Sequence, residues 1–405
     1  MGFRNAMVMG DVELVLKQCR MAEKHGNGPA IPVEDLDTVL IESRKSSVST
    51  ALLAALAAQG TALFVCNEKH MPAAVLLPFH QHSRQSEVMH AQLALTKPAQ
   101  KRMWQQIVQA KIRNQALCMQ LQGNEPAALY LNNTAKAVRS GDEGNTEATA
   151  AAYYFPRLFG RGFTRSNDED TRNAALNYGY AVLRGCVARS LAVHGFLPAL
   201  GIHHRSMQNQ FNLADDFIEP FRPLVDLFVA RTVECADEDF TPQLRRQLYN
   251  LVNYNLEVNN KTYSASYAIE LAVQSLLRCV WDVRTSSTCP HWLSWSNMGM
   301  NKFMRMLVFF DLPVKTKQER SNATRFRNFL LKDGYYMLQY SLYARTCNGV
   351  DAVEKHRKRL EAVKPDNGSI RLLVITERQY QSIEILVGKY APHDAPFEFE
   401  QMTLF

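Results

Sequence analysis

The chain has 405 residues, 46% of them hydrophobic and 21% charged; this is more than one compact core accommodates, predicts two or three domains, and excludes a disordered or fibrous chain. Its eight cysteines are scattered singly with no CxxC pair, which argues against a disulfide framework or a Cys-rich zinc module and fits a reducing cytoplasm. The formal net charge is +7, unevenly spread: residues 301–390 carry 17 Lys+Arg against 9 Asp+Glu, whereas 391–405 carry three acids and no base, so one basic module follows a nearly neutral one and suggests a nucleic-acid or membrane surface, or a merely solvated basic face.

In chain order, "NAMVMG", "VELVLKQCRMA", "TVLIES" and "ALFVCN" predict short strands within residues 1–82, with a helix around Ser47–Ala58. No segment reads as a secretory signal. The longest apolar stretch, "ALLAALAAQGTALFVC" (Ala51–Cys66), is interrupted at Gln59–Thr61 and too short to span a bilayer. It reads as a buried helix running into a strand.

From residue 83 the text turns helical, as in "AQKRMWQQIVQAKIRNQALCMQLQ" (Ala99–Gln122) and "TRNAALNYGYAVLRGCVARSLAVHG" (Thr171–Gly195), the second closed by its glycine. Helical text continues to about Trp281, and "RTSSTCPHWLSWSNMGMN" (Arg284–Asn301) is the best linker. The period then switches. "RMLVFFDLP" predicts a strand, "TKQERSNATRFRNFLLKDG" an amphipathic helix closed by Gly334, "YYMLQYSLYAR" a long strand, "GVDAVEKHRKRLEAV" a helix, and "SIRLLVITE" and "EILVG" two more strands. These are read as the β-α-β-β-α-β order of a ferredoxin-like domain. Alternation over Phe397–Phe405 predicts a strand that docks on a sheet edge.

The fold class is therefore multidomain α+β: an N-terminal β-rich domain (1–82), an all-α domain (83–295), a linker (296–303), a ferredoxin-like βαββαβ domain (304–390) and a C-terminal docking tail (391–405).

One cluster carries chemistry. "LGIHHRSMQNQFNLADDFIEP" (Leu200–Pro220) sets His203 and His204 ahead of Asp215, Asp216 and Glu219. On a helix Glu219 shares a face with both aspartates, while Leu213, Phe217 and Phe221 form the core face. Like charges so placed repel unless a cation sits among them, and a divalent ion with oxygen and imidazole ligands fits. The bland alternative is a solvated acidic face with His204 bonded to backbone. A second segment, "GDEGNTEATAAAYYFPRLFGRGFTR" (Gly141–Arg165), puts Glu147 at the head of a run of small residues, which lets another helix approach or leaves room around its carboxylate. Basic residues follow at Arg157, Arg161 and Arg165.

The segment around Glu147, then "NAALNYGYAVLRG", then "LGIHHRSMQNQFNLADDFIEPFRPLVD", resembles the CRISPR-associated integrase family. That family is the first protein of the spacer-acquisition complex, here in its type II form, and the resemblance covers roughly residues 1–297. The basic module from Met304 to about Gly388 resembles the second, ferredoxin-like protein of the same complex.

The resemblance implies that residues 83–295 are the catalytic domain and 1–82 a dimerisation domain. It implies catalytic metal ligands Glu147, His204 and Glu219 for Mg²⁺ or Mn²⁺, with His203 as a neighbour that orients His204 or contacts DNA, Asp215 and Asp216 as acidic positions that assist the site, and Tyr178 near the reacting DNA end. Lys111 and Arg113 fall on a helix that lines DNA in relatives, and on sequence alone they read equally as exposed charge; Trp104 reads as core. Arg161, Arg165, Arg325, Arg327, Arg357 and Lys358 are read as phosphate contacts. Asp311 ends the first strand of the small module, where an aspartate has been linked to nuclease activity in some relatives and is more often structural.

The implied activity is insertion of short duplex fragments (prespacers) into a CRISPR leader–repeat by 3′-hydroxyl transesterification. The implied partners are double-stranded DNA, further copies of the chain as integrase dimers on a small-module dimer, and the effector nuclease as a candidate, with no membrane. Competing readings are a structure-specific repair nuclease and a non-catalytic DNA-binding scaffold.

Overall fold

A computed structural model of the chain describes residues 4–26, 30–78, 84–167, 169–233, 239–258, 261–282, 295–299, 303–384 and 387. The architecture is multidomain α+β, as expected. The chain divides into two compact units, one drawn from Met1–Asp37, Lys45–Gln59 and Met300–Phe405, the other from Thr38–Arg44 and Gly60–Gly299. Residues 1–82 thus do not stand as one body of their own.

The chain opens with β1 (Arg4–Val8), β2 (Glu13–Lys17), β3 (Arg20–Glu23), β4 (Ile31–Pro32), β5 (Leu36–Ile41) and β6 (Ser47–Val48). The predicted single run "VELVLKQCRMA" is instead a hairpin: β2 and β3 pair antiparallel with Lys17 opposite Arg20. Gln18 and Cys19 turn it with φ of 48° and 61°. Such tight turns usually carry Asn or Gly, so the sequence lacked the signal. α1 (Thr50–Gln59) leads into β7 (Ala62–Cys66), followed by β8 (Pro72–Leu76). β7 runs parallel to β5 and antiparallel to β8.

The helical part of the second unit contains α2 (Gln85–Leu93), α3 (Lys97–Leu121), α4 (Glu125–Ala137), α5 (Thr146–Phe159), α6 (Thr171–Val193), α7 (Asn212–Ile218), α8 (Arg222–Thr232) and α9 (Pro242–Asn250). The two longest of these start at side-chain caps. Thr96 accepts from the Ala99 amide and Asp170 from the Arg172 amide, each satisfying a donor the helix cannot. α6 ends as predicted: Gly195 takes φ +81°, and the Phe196 amide donates back to the Leu191 carbonyl, the six-to-one closure for which glycine is suited.

α6 is buried along most of its length, and two glycines explain how. A Cβ on Gly179 would lie 2.5 Å from Val225 Cγ1 of α8, and one on Gly185 1.9 Å from Phe64 Cε1 of β7. The absent side chains let α8 and the sheet close on two different sides of α6.

Beyond α9 come β9 (Asn255–Val258), β10 (Lys261–Ser264), α10 (Ala265–Asp282) and β11 (Trp295–Gly299). β11 pairs antiparallel with β9. The start of the expected linker, 296–303, is therefore strand, and the boundary between units falls after Gly299.

The basic module comprises β12 (Phe303–Asp311), α11 (Lys317–Lys332), β13 (Tyr336–Gln339), β14 (Leu342–Asn348), α12 (Gly349–Val363), β15 (Ser369–Thr376) and the short α13 (Glu377–Gln381). The expected long strand Tyr335–Arg345 is a hairpin, β13 and β14, bent at Tyr340–Ser341; this bend is what completes the β-α-β-β-α-β order. The sheet order is β13-β14-β12-β15, antiparallel between neighbours. Met306, Val308 and Phe310 pack with Phe326 and Leu330 of α11 and with Val353 and Leu360 of α12 in one core. Of "EILVG" (384–388) only Glu384 and Val387 are among the described residues, and neither is in a strand; the tail 391–405 lies outside them.

Within the same unit, this module meets the N-terminal strands through buried charge. Arg345, fully buried, donates to Asp35 at 2.5 Å, and Arg20 donates to the carbonyls of Leu331 and Tyr335. Arg359 bridges Glu34 and Asp333, and Asp333 also lies 2.9 Å from His356 Nδ1.

Candidate active site

Glu147, in the first turn of α5, and Glu219, which opens the 3₁₀ turn between α7 and α8, converge on one position. That position is held by an ammonium. Lys111 Nζ, from the middle of α3, lies 2.5 Å from Glu147 Oε1 and 2.5 Å from Glu219 Oε2. Arg222, at the start of α8, donates from Nε to the other Glu219 oxygen at 2.8 Å. Burial alone would raise the carboxyl pKa of Glu219, but Lys111 and Arg222 outweigh it and the net shift is downward. Burial would likewise lower that of Lys111; the charges of Glu219 and Glu147 reverse the sign. The arrangement keeps the buried Glu219 carboxylate ionised at neutral pH.

His204 is placed by Asp216. The fully buried Asp216 accepts from the amides of Ile202, His203 and His204, so the segment before α7 wraps around its carboxylate. Its Oδ1 also lies 2.7 Å from His204 Nδ1. That bond occupies Nδ1 and leaves Nε2 available to a ligand, the pairing by which carboxylates orient metal-binding histidines. The same hydrogen bond, against the opposing effect of burial, raises the His204 pKa. His203 stacks flat on Trp104 of α3, ring centroids 4.0 Å apart and planes 4° from parallel; its pKa is lowered, chiefly by burial. His204 opens onto a cleft of about 380 Å³ that Gln92, Gln100, Arg205 and Asn209 also line.

The expected supporting residues separate. Asp215 and Asp216 do not act as one acidic face: Asp215 accepts from Asn209 Nδ2 at 2.6 Å and sits 3.8 Å from Arg184, while Asp216 is wholly internal. Tyr178 is buried against Phe240, its hydroxyl without a hydrogen bond among the described residues. Tyr180, two positions on and so turned to another side of α6, is the tyrosine beside the centre: its hydroxyl donates to Asp226, and Arg222 lies over its ring at 4.6 Å. Burial pushes the Asp226 carboxyl up to about 6.

Among the expected DNA contacts, Arg113, Arg161, Arg325, Arg327, Arg357 and Lys358 are exposed. Lys111 is not a surface charge but the centre's own cation. Arg165 is half-buried and tied to Asn173 and Asn177. Asp311 is exposed at the end of β12, opposite Ser369.

Lys111 in this role and the Tyr180–Asp226 pair are the residues the sequence reading missed; Trp104 is buried, as read, and Arg222 stands three residues after Glu219. The only available signal was the i+3 spacing of Glu219 and Arg222, because the others arrive from helices distant in the chain.

A divalent ion suits this donor set. Two carboxylates from different helices already enclose one cation. Glu219 Oε2 is buried and faces that ammonium at 2.5 Å, so it is a carboxylate oxygen already turned toward a cation position that an ion would use. The closure is incomplete: among the described residues, the His/Asp/Glu trio with ligand atoms all within 4.8 Å of one another is Glu34, Asp333 and His356, so His204 must draw nearer for a three-ligand site.

Two family models match the chain: CRISPR associated protein Cas1 over residues 11–250 and CRISPR associated protein Cas2 over residues 304–383. A CRISPR-associated endonuclease Cas1 of Neisseria meningitidis is 42% identical over 285 residues, covering 70% of this chain and 93% of the relative. A CRISPR-associated endoribonuclease Cas2 of Acidovorax ebreus is 50% identical over 102 residues, 25% of this chain and 100% of the relative. Among solved structures, a casposase bound to integration product superposes with a TM-score of 0.59 at 17% identity, covering 71% of this chain and 93% of that one. A CAS1 protein from Thermotoga maritima reaches 0.54 at 15%, covering 68% and 97%. At such identities the likeness is one of fold. No described helix is long and apolar enough to cross a membrane.

Proposed function

Because the chain belongs to the family of CRISPR associated protein Cas1 and carries a Cas2-family segment behind it, we propose that it is a metal-dependent DNA endonuclease and integrase of CRISPR adaptation. It inserts short duplex fragments into the repeat array of a bacterial cytoplasm. The observation that carries this reading is the convergence of Glu147 and Glu219 on a single cation position, beside a histidine whose Nδ1 is already engaged by Asp216.

The reaction is a transesterification. The 3′-oxygen of the incoming fragment bonds to a phosphorus at the leader–repeat boundary, the bond to the repeat strand's own 3′-oxygen breaks, and the proton passes from the attacking hydroxyl to the departing one. The number of phosphodiesters is unchanged, so no nucleotide cofactor is needed. Glu147, Glu219 and His204 Nε2 would hold the ion, and Mg²⁺ or Mn²⁺ supplies acidification of the hydroxyl and charge screening for the anionic transition state. The protein does the rest. Asp216 fixes the tautomer and direction of His204; Trp104 stacks on His203 and walls the site; Arg222 keeps Glu219 ionised and aimed.

The ferredoxin-like module serves as scaffold, its exposed Arg325, Arg327, Arg357 and Lys358 meeting phosphates without reading sequence. Asp311 has no catalytic part in this reading. Integrase dimers assemble on a dimer of small modules. Because the fusion supplies the two modules one to one, small modules are in excess over the two that such a centre holds. Incubating a labelled duplex with a repeat-bearing plasmid tests the reading. Joined product that requires Mg²⁺ or Mn²⁺ supports it; cleavage without joining under every metal condition refutes it.

A further inference from the structure

The cation position between Glu147 and Glu219 is filled from within the chain. Lys111 Nζ meets both carboxylates, its side chain is only 13% exposed, and Arg222 flanks Glu219 from the other side. Two carboxylates thus face two cations, and the centre is formally neutral without metal. An ammonium and a divalent ion compete for the same two oxygens, since their mutual repulsion in a low-dielectric pocket is little screened.

We propose that Lys111 is a resident counter-cation, which the divalent ion must displace and which therefore sets the metal affinity of the site. It rests on the metal-site reading above. Its logic is electrostatic. Without Lys111, Glu147 and Glu219 would repel each other in the metal-free protein and repel approaching phosphates; with it, duplex can dock before metal arrives. Displacement then means that the flexible four-carbon side chain swings off the two oxygens.

The test is direct Mn²⁺ titration of the full chain without DNA, read by electron paramagnetic resonance. Lys111→Met should bind Mn²⁺ more tightly, by about tenfold or more, because the competitor is gone. Lys111→Arg should stay near the parent, and Glu147→Gln should bind weakly. An unchanged or weaker affinity in Lys111→Met overturns the inference. If Glu147→Gln binds like the parent, the metal-site reading itself fails, a distinguishable result. Should Lys111→Met not fold, amine acylation of the unaltered protein, followed by mass spectrometry, decides the matter. Labelling of Lys111 should rise severalfold on saturation with Mn²⁺ relative to the exposed Lys136, and an unchanged ratio contradicts displacement.

Discussion

Asp216 Oδ1 lies 2.7 Å from His204 Nδ1 and 3.0 Å from the His204 amide nitrogen, so one buried carboxylate fixes both the ring and the backbone that carries it. The histidine is placed by an acid that sits twelve residues later and does not itself face the cation. Asp216→Asn keeps the volume but loses the charge and one acceptor. Mn²⁺ affinity and integration rate should both fall about 10- to 100-fold, the usual cost of losing such an orienting partner. Duplex binding should be unchanged. A variant with parental Mn²⁺ affinity would show that His204 does not depend on Asp216.

The packing of α6 makes a second test. A methyl at Gly185 meets the Phe64 ring at 1.9 Å, a distance that forces the ring or the helix to move. Gly185→Ala should therefore destabilise the second unit by about 1–3 kcal/mol, as overpacking does, even though alanine is the better helix former. Urea denaturation reads this, and a stabilised variant would contradict the packing.

A buried pair remote from the cation position carries a pH signature. His194 Nε2 lies 3.0 Å from Glu270 Oε1, and Ser190 donates to the other Glu270 oxygen at 2.7 Å. Burial opposes both charges, but the mutual hydrogen bond and attraction win, raising His194 above 6.5 and holding Glu270 below 4.5. The histidine's contribution is complete below pH 6.5 and is lost as pH rises through its folded pKa. The glutamate's is complete above pH 4.5 and is lost as pH falls through its own. His194→Ala should thus cost about 1–3 kcal/mol near pH 5.5, and less in alkaline buffer. A pH-independent cost would mean that the pair is not ionised.

The basic module should bind phosphates and do no chemistry. Replacing Arg325, Arg327, Arg357 and Lys358 together should weaken duplex binding and flatten its salt dependence, by about 0.9 in log–log slope for each phosphate no longer neutralised. Asp311→Ala should integrate at the parental rate. An unchanged salt slope would mean that this face points away from DNA.

Periodicity and caps made the long elements legible. α3 and α6 match their sequence readings to within two residues at each end, because helical periodicity and the closing Gly195 are local signals that need no tertiary context. The hairpin turns at Gln18–Cys19 and Tyr340–Ser341 were not legible, since neither carries glycine or asparagine. Of the candidate site, Glu147, His204 and Glu219 were named from the resemblance, but the sequence could not say which charges meet. Lys111 read as a surface lysine because helical spacing alone does not show that its face of α3 looks onto α5 and the turn after α7. Tyr178 and Tyr180 differ by two positions, about 200° of helix turn, and only packing decides which one faces Asp226.

The central claim is that Glu147, His204 and Glu219 act together on DNA through a metal. The most direct measurement is plasmid integration of a labelled duplex by Glu147→Ala, His204→Ala and Glu219→Ala, each checked for fold and for duplex binding. The account predicts that all three bind duplex, that none joins it to the repeat in Mg²⁺ or Mn²⁺, and that the parent does. A folded variant of any of the three that integrates at the parental rate would contradict it.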